Sequence, residues 1–313
     1  MTLSKWTVNI MNEHMKAKNS FHIYAMITIL FWSLAYVLTR LSLQYFTPFS
    51  LGFLRYFIAS CTLIIVAVIS KIKLPHKKDL PWFMLAGALG FFFYMIAFNQ
   101  GQKTVTASTG SIVISTVPVL TALIARVVYK EKMSYLQWLA IAIEFAGVTV
   151  LTLMNDVLSI NIGLLWLFLA ALALSLYNLL QRKLTKTYSA LQTSAFSIFF
   201  GTILLAIFLR VSVSEALNAP AIQWFYLAIL GIFSSAIAYA AWSRAFAKAE
   251  QTSQVSNYMF ITPFLTSVLG FIIADEVPEP SAIVGGGIIL SGVFLFNFGG
   301  KLYRALCNKK NMV

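Results

Sequence analysis

Ten apolar segments follow one another along this chain with only short connections between them. They lie at 21–43, 48–70, 81–101, 106–129, 134–154, 161–181, 190–210, 222–245, 252–274 and 280–299. Each is close to the ~20 residues that cross the hydrocarbon core of a bilayer. No stretch between them is long enough to hold a soluble domain. Hydrophobic residues make up 59% of the 313 and charged residues only 11%, against roughly half and a quarter in soluble domains. Such a chain cannot cover its surface with polar groups, so lipid must be its solvent. The expected fold is an all-α integral membrane protein of ten transmembrane helices.

The net charge of +13 raises the question of a nucleic-acid partner, and its distribution argues against one. Basic residues cluster in alternate connections, as the positive-inside rule expects of a multispanning protein. Lys5, Lys16 and Lys18 precede the first span. Lys71, Lys73, Lys77 and Lys78 follow the second. Arg126, Lys130 and Lys132, then Arg182, Lys183 and Lys186, then Arg244 and Lys248 follow the even-numbered spans in turn. Lys301, Arg304, Lys309 and Lys310 close the chain. Both termini are therefore expected in the cytoplasm, with tails at 1–20 and 301–313. The first segment is too long for a signal peptide, and no small-x-small cleavage site follows it. Cys61 lies in a span and Cys307 in the tail. They are not expected to pair, and no metal spacing is present.

Shifting the second half back by 145 residues superposes unusual residues. Tyr94 meets Tyr239, Lys103 meets Lys248, Ser111 meets Ser256, Pro118 meets Pro263, Thr121 meets Thr266, Glu131 meets Glu276 and Gly147 meets Gly292. A shift of 142 brings Ser33 onto Ser175 and Arg40 onto Arg182. The chain reads as two five-span units, 21–154 and 155–300. Five is odd, so the second unit must enter the membrane from the opposite face. Lys130 beside Glu131 accordingly becomes Asp275 beside Glu276. Inverted repeats are the usual construction of secondary transporters, with a central cavity between the repeats.

Pro118 and Pro263 sit inside apolar segments of matching sequence, in spans four and nine. Proline removes a backbone hydrogen bond and bends a helix, and the freed carbonyl must face protein or water. The pair reads as gating kinks beside the cavity, or as fixed bends for packing. Glu131 and Glu276, which end the same helices, read as loop anchors.

These features together resemble the EamA family of the drug/metabolite transporter superfamily. The resemblance rests on "FWSLAYVLTR" in span one, "LRYFIAS" in span two, "TVPVLTALIARVVYKE" and "ITPFLTSVLGFIIADE" in spans four and nine, and "AGV" and "SGV" in spans five and ten. It covers residues 22–300. It implies ten helices, a cavity lined by spans one to four and six to nine, and export or exchange of small metabolites, often amino acids, without ATP hydrolysis. The lack of a GxxxxGK[ST] loop fits a secondary transporter. A bacterial plasma membrane follows from the compact loops and the resemblance.

Candidate substrate contacts are polar and aromatic residues within the spans. Arg55 stands two turns into span two. A charge there is costly and faces a cavity or a partner. It reads as the counter-charge for a carboxylate, or as an arginine snorkelling to the surface or paired internally. Trp32 and Tyr36 in span one, Tyr94 and Asn99 in span three, Asn178 in span six, Tyr239 and Trp242 in span eight and Asn257 in span nine complete the set. Aromatic walls with a few placed polar groups suit small organic ligands. Glu144, in the middle of span five, reads as a proton-coupling carboxylate or as a neutral packed one. Gly285, Gly286, Gly287 and Gly292 make one side of span ten smooth, suited to a neighbouring helix or to a second protomer in a homodimer.

No catalytic, cofactor or metal arrangement is read: His14, His22 and His76 are far apart in sequence. The expected function is secondary-active export of amino acids or related metabolites, driven by a proton or counter-solute. The alternative is a multidrug or organic-cation exporter, with Glu144 as its counter-ion.

Overall fold

The computed structural model describes residues 20–104, 107–153, 162–274 and 280–310. Lys5, His14, Lys16, Lys18, Asp275 and Glu276 lie outside them, as do the side chains of Ser108 and of the basic residues after Gly300. The described residues form helices and no strands. We label them α1 (Ser20–Ser42), α2 (Pro48–Ile69), α3 (Lys77–Thr104), α4 (in two pieces, Ala107–Ile114 and Val117–Val128), α5 (Tyr135–Leu153), α6 (Ile162–Leu184), α7 (Ala190–Asn218) and α8 (Ala221–Lys248). α9 has three pieces (Thr252–Ser256, Asn257–Ile261 and Thr262–Ala274), and α10 is Pro280–Lys310. Among the described residues seven of these, α1 to α3 and α6 to α9, are long and apolar enough to cross a membrane. Val117–Val128 and Gly287–Gly300 are shorter apolar helices. The chain is a multi-pass helical membrane protein.

Local chemistry explains the helix starts. Thr47 caps α2, its hydroxyl accepting from Ser50 N–H, with Pro48 in the first turn. Ser189 caps α7 in the same way, in a reciprocal capping box with Gln192. α7 runs past the expected end at residue 210 to Asn218. Its last turns bury Ser212 and Ala216 and pack on α2. Glu215 there accepts the Thr47 N–H at 2.8 Å, one of the donors that a helix start leaves without an intrahelical partner.

Helix irregularities fall at corresponding places in the two halves. α3 carries a π-helical stretch at Ala88–Phe93 and α8 carries one at Ile229–Ile237. Segment 106–129, expected as one helix, is interrupted at Ser115–Thr116. α9 tightens to a 3-10 helix over Asn257–Ile261, the corresponding place. The packing also corresponds: α1 lies on α8 and α9 as α6 lies on α3 and α4, and α2 lies on α8 as α7 lies on α3. α5 and α10 pack along each other. Around them a small cluster of Ala122, Ala140, Ile141 and Phe296 stands apart from the main core.

α2 meets α8 closely at Gly231. A Cβ there would lie 2.6 Å from Ile58 Cγ2 and 3.0 Å from the Arg55 carbonyl oxygen. Gly231→Val is therefore expected to force the helices apart and to destabilise the protein by about 1–3 kcal/mol. A lower melting temperature in detergent would show it. An unchanged one would mean that α2 and α8 can separate here without loss.

Candidate functional site

Arg55 does not snorkel, and among the described residues it pairs with no carboxylate. Its side chain is 4% exposed and turns toward α8, where Nε donates to Ser235 Oγ at 2.7 Å and Nη2 to the Ser234 carbonyl at 3.5 Å. The π-helical stretch explains this acceptor pair. A π-turn inserts one residue and displaces carbonyls from the regular ladder. Ser235 Oγ donates to the carbonyl of Leu230, five residues back, so its lone pairs are turned to Arg55. Ser234 Oγ donates to the Phe31 carbonyl of α1. The two serines escaped the sequence reading. Their only signal is the pair "SS" inside an apolar span, and a regular helix would put them on different faces.

Around the guanidinium lies an aromatic chamber. A cavity of about 20 Å³ is lined by Trp32, Ala35, Tyr36, Arg55, Tyr94, Phe98, Tyr239, Met259 and Thr262. Five expected contacts, Arg55, Trp32, Tyr36, Tyr94 and Tyr239, thus converge from four helices. Trp32 stacks at an angle on Tyr239 and Trp242, with centroids 5.0 and 4.9 Å apart. Phe98 lies between Tyr36 and Tyr94. Trp32 Nε1 and Thr262 Oγ1 are buried without a protein partner. The chamber therefore offers hydrogen-bond donors and one fixed positive charge, and among the described residues no carboxylate lines it. Its volume suits about one water, so a metabolite can bind only if the helices part.

The three expected asparagines are used elsewhere. Asn99 Nδ2 donates to the Pro48 carbonyl at 2.8 Å and ties α3 to the start of α2. Asn178 Oδ1 accepts from Trp242 Nε1 at 2.9 Å, and its Nδ2 reaches Thr121 Oγ1 at 3.4 Å. That links α6 to α8 and α4, with Trp242 packed against Trp32 of the chamber wall. Asn257 Nδ2 donates to Glu144 Oε1 at 3.0 Å, toward α5. Sequence reasoning saw polar residues in lipid and could not see that a neighbouring helix satisfies them.

Both prolines stand one residue inside a restarted helix, Pro118 after Val117 and Pro263 after Thr262. The Met259 carbonyl, which Pro263 leaves without its usual donor four residues on, is satisfied locally. Thr262 N–H reaches the Met259 carbonyl, and serines of the first and sixth helices donate to the same breaks. Ser33 Oγ reaches the Thr262 carbonyl at 3.5 Å, and its repeat mate Ser175 reaches the Val117 carbonyl at 3.3 Å.

At the lysine-rich end, Glu131 ties the connection after α4 to the start of α9. Its Oε1 accepts from the N–H and the hydroxyl of Thr252, both at 2.9 Å, and its Oε2 from Ser253 at 3.5 Å. A carboxylate thus caps the start of α9, where the helix dipole favours it. Arg182 donates to the Phe246 and Glu250 carbonyls at 2.5 Å each. The loop-anchor reading of Glu131 fits these contacts.

An all-helical membrane bundle around an enclosed, donor-lined chamber, with broken helices beside it, is the architecture of a transporter. Residues 19–153 and 161–298 each match the EamA-like transporter family, and the chain belongs to that family. It is 31% identical over 265 residues to the uncharacterized transporter YdfC of Bacillus subtilis, covering 84% of this chain and 86% of the relative. It is 28% identical over 271 residues to a probable terminal-alkyne amino-acid exporter of Streptantibioticus cattleyicolor, covering 87% and 91%. A solved crystal structure, 19% identical, aligns with a TM-score of 0.71 over 89% of this chain and 96% of that one, which speaks to the fold alone.

Proposed function

We propose that this protein is a secondary-active exporter of small organic metabolites bearing a carboxylate, amino acids or close relatives, in a bacterial plasma membrane. Its ten helices form two inverted five-helix repeats, with both termini cytoplasmic and α4 and α9 bending at Pro118 and Pro263 to open either side in turn. The matched π-helical stretches, helix breaks and serine bonds support the repeat, and the lysine-rich end supports the orientation. The observation that carries the substrate class is the buried Arg55 among phenol, indole and hydroxyl donors. A chamber of this charge favours an anionic group and disfavours the organic cation of the alternative reading. The name of the Streptantibioticus relative points the same way. A proton or solute gradient would supply the energy.

Uptake into proteoliposomes of labelled amino acids, nucleosides and organic cations, with and without a pH gradient, tests the reading. Amino-acid transport is the expected outcome. Transport of cations alone would overturn it.

A further inference from the structure

Glu144 sits in the middle of α5 and is wholly buried. Its Oε1 accepts from Asn257 Nδ2 at 3.0 Å. Its other oxygen, Oε2, has no partner, and neither does Oδ1 of the same Asn257. An ionised carboxylate is an acceptor only and needs several donors when buried. Here it has one, and the two orphaned atoms are both acceptors on the same pair of side chains. One proton on Oε2 removes both deficits, because a carboxylic acid can donate to Oδ1 while accepting from Nδ2. The packing holds the pair together. Gly292 of α10 lies so close that a Cβ there would be 2.3 Å from Glu144 Cγ. Among the described residues no charged side chain is paired with the carboxyl. α4 from Ala107 to Ile114 and α10 from Pro280 to Gly300 contain no ionisable residue. Arg126 in the second piece of α4 and Tyr135 on α5 itself are exposed. The 3-10 stretch of α9 contributes Tyr258, which is bonded to His22.

We propose that Glu144 and Asn257 form a proton-binding site, a neutral carboxylic acid closing a two-bond ring with the carboxamide. Asn257 is the first residue of the 3-10 stretch that precedes Pro263. Loss of the proton from Oε2 to water leaves an anion that repels Oδ1 and releases α9 from α5 at its irregular point. The site thereby couples proton release to the bending of α9. The proton site itself stands on the side-chain geometry, and only its use in coupling rests on the exporter reading.

Infrared spectra of the full chain in lipid bilayers separate the two. At neutral pH the wild type should show a carboxylic-acid carbonyl band that shifts in heavy water. Glu144→Gln should abolish it, and Asn257→Ala should move it to higher frequency. No acid band in the wild type, or one that survives Glu144→Gln, overturns the proton site. If Glu144→Gln does not fold, Asn257→Ala decides, and an unmoved band overturns the ring. In proteoliposomes Glu144→Gln should lose gradient-driven accumulation while keeping gradient-free exchange. Accumulation at the wild-type level would overturn the coupling. If no substrate is transported, the exporter reading fails while the infrared result still decides the proton site.

Discussion

Arg55→Ala is expected to lower the transport efficiency of carboxylate substrates by about 10-fold to 100-fold. A hydrogen bond to a charged group contributes ~1.5–3 kcal/mol, and each 1.4 kcal/mol is a tenfold change. The loss should appear mainly as weaker apparent affinity, since the guanidinium is held in place by Ser235 and Ser234 before any ligand arrives. Arg55→Lys should recover only a part. An ammonium keeps the charge but lacks the planar fork that can hold Ser235 and a carboxylate together. Concentration-dependent initial rates in proteoliposomes measure both, with melting temperatures as the folding control. A Lys variant indistinguishable from wild type would mean that charge alone suffices. An Ala variant with normal rates would remove Arg55 from the substrate site.

Glu131→Ala is expected to raise the population open at the lysine-rich end. The carboxylate satisfies the Thr252 N–H at the start of α9, and loss of such a cap costs ~0.5–2 kcal/mol. If the open form is the minor one, its population rises about 2-fold to 30-fold. Ser243 lies deep on α8, bonded to Gln181 and Ser194 and fully buried, so a cysteine placed there reports opening. With Cys61 and Cys307 replaced, labelling of Ser243→Cys by an impermeant maleimide should quicken by that factor in Glu131→Ala. Thr252→Val removes the hydroxyl that donates to the same carboxylate, so its effect should not add to that of Glu131→Ala. Equal labelling rates in all variants would show that Glu131 anchors the loop without closing the bundle.

Several features of the site were legible along the chain because they are local. Trp32 and Tyr36, or Tyr94 and Phe98, are one turn apart, so one helix face carries both. The repeat marked the helix breaks at Pro118 and Pro263, because proline's missing N–H acts wherever the residue stands. The polar partners were not legible. Asn99, Asn178 and Asn257 read as cavity lining, yet the Nδ2 of each donates to a residue of another helix, 51, 57 and 113 positions away.

By itself the sequence determined that the chain lives in lipid, where its apolar segments lie, and that its halves share unusual residues at a fixed offset, since hydropathy and residue identity are properties of single positions. Only the tertiary structure decided which buried polar group faces the chamber and which is consumed in holding helices together. Arg55 and Glu144 look alike as lone charges within spans. One meets the serines of a π-helical stretch and a chamber of donors, and the other a single carboxamide and the backbone beside Gly292. In a bilayer an unpartnered polar group is costly, so each takes the partner that packing brings to it. That choice depends on contacts between distant segments and on a helical register that no single helix dictates.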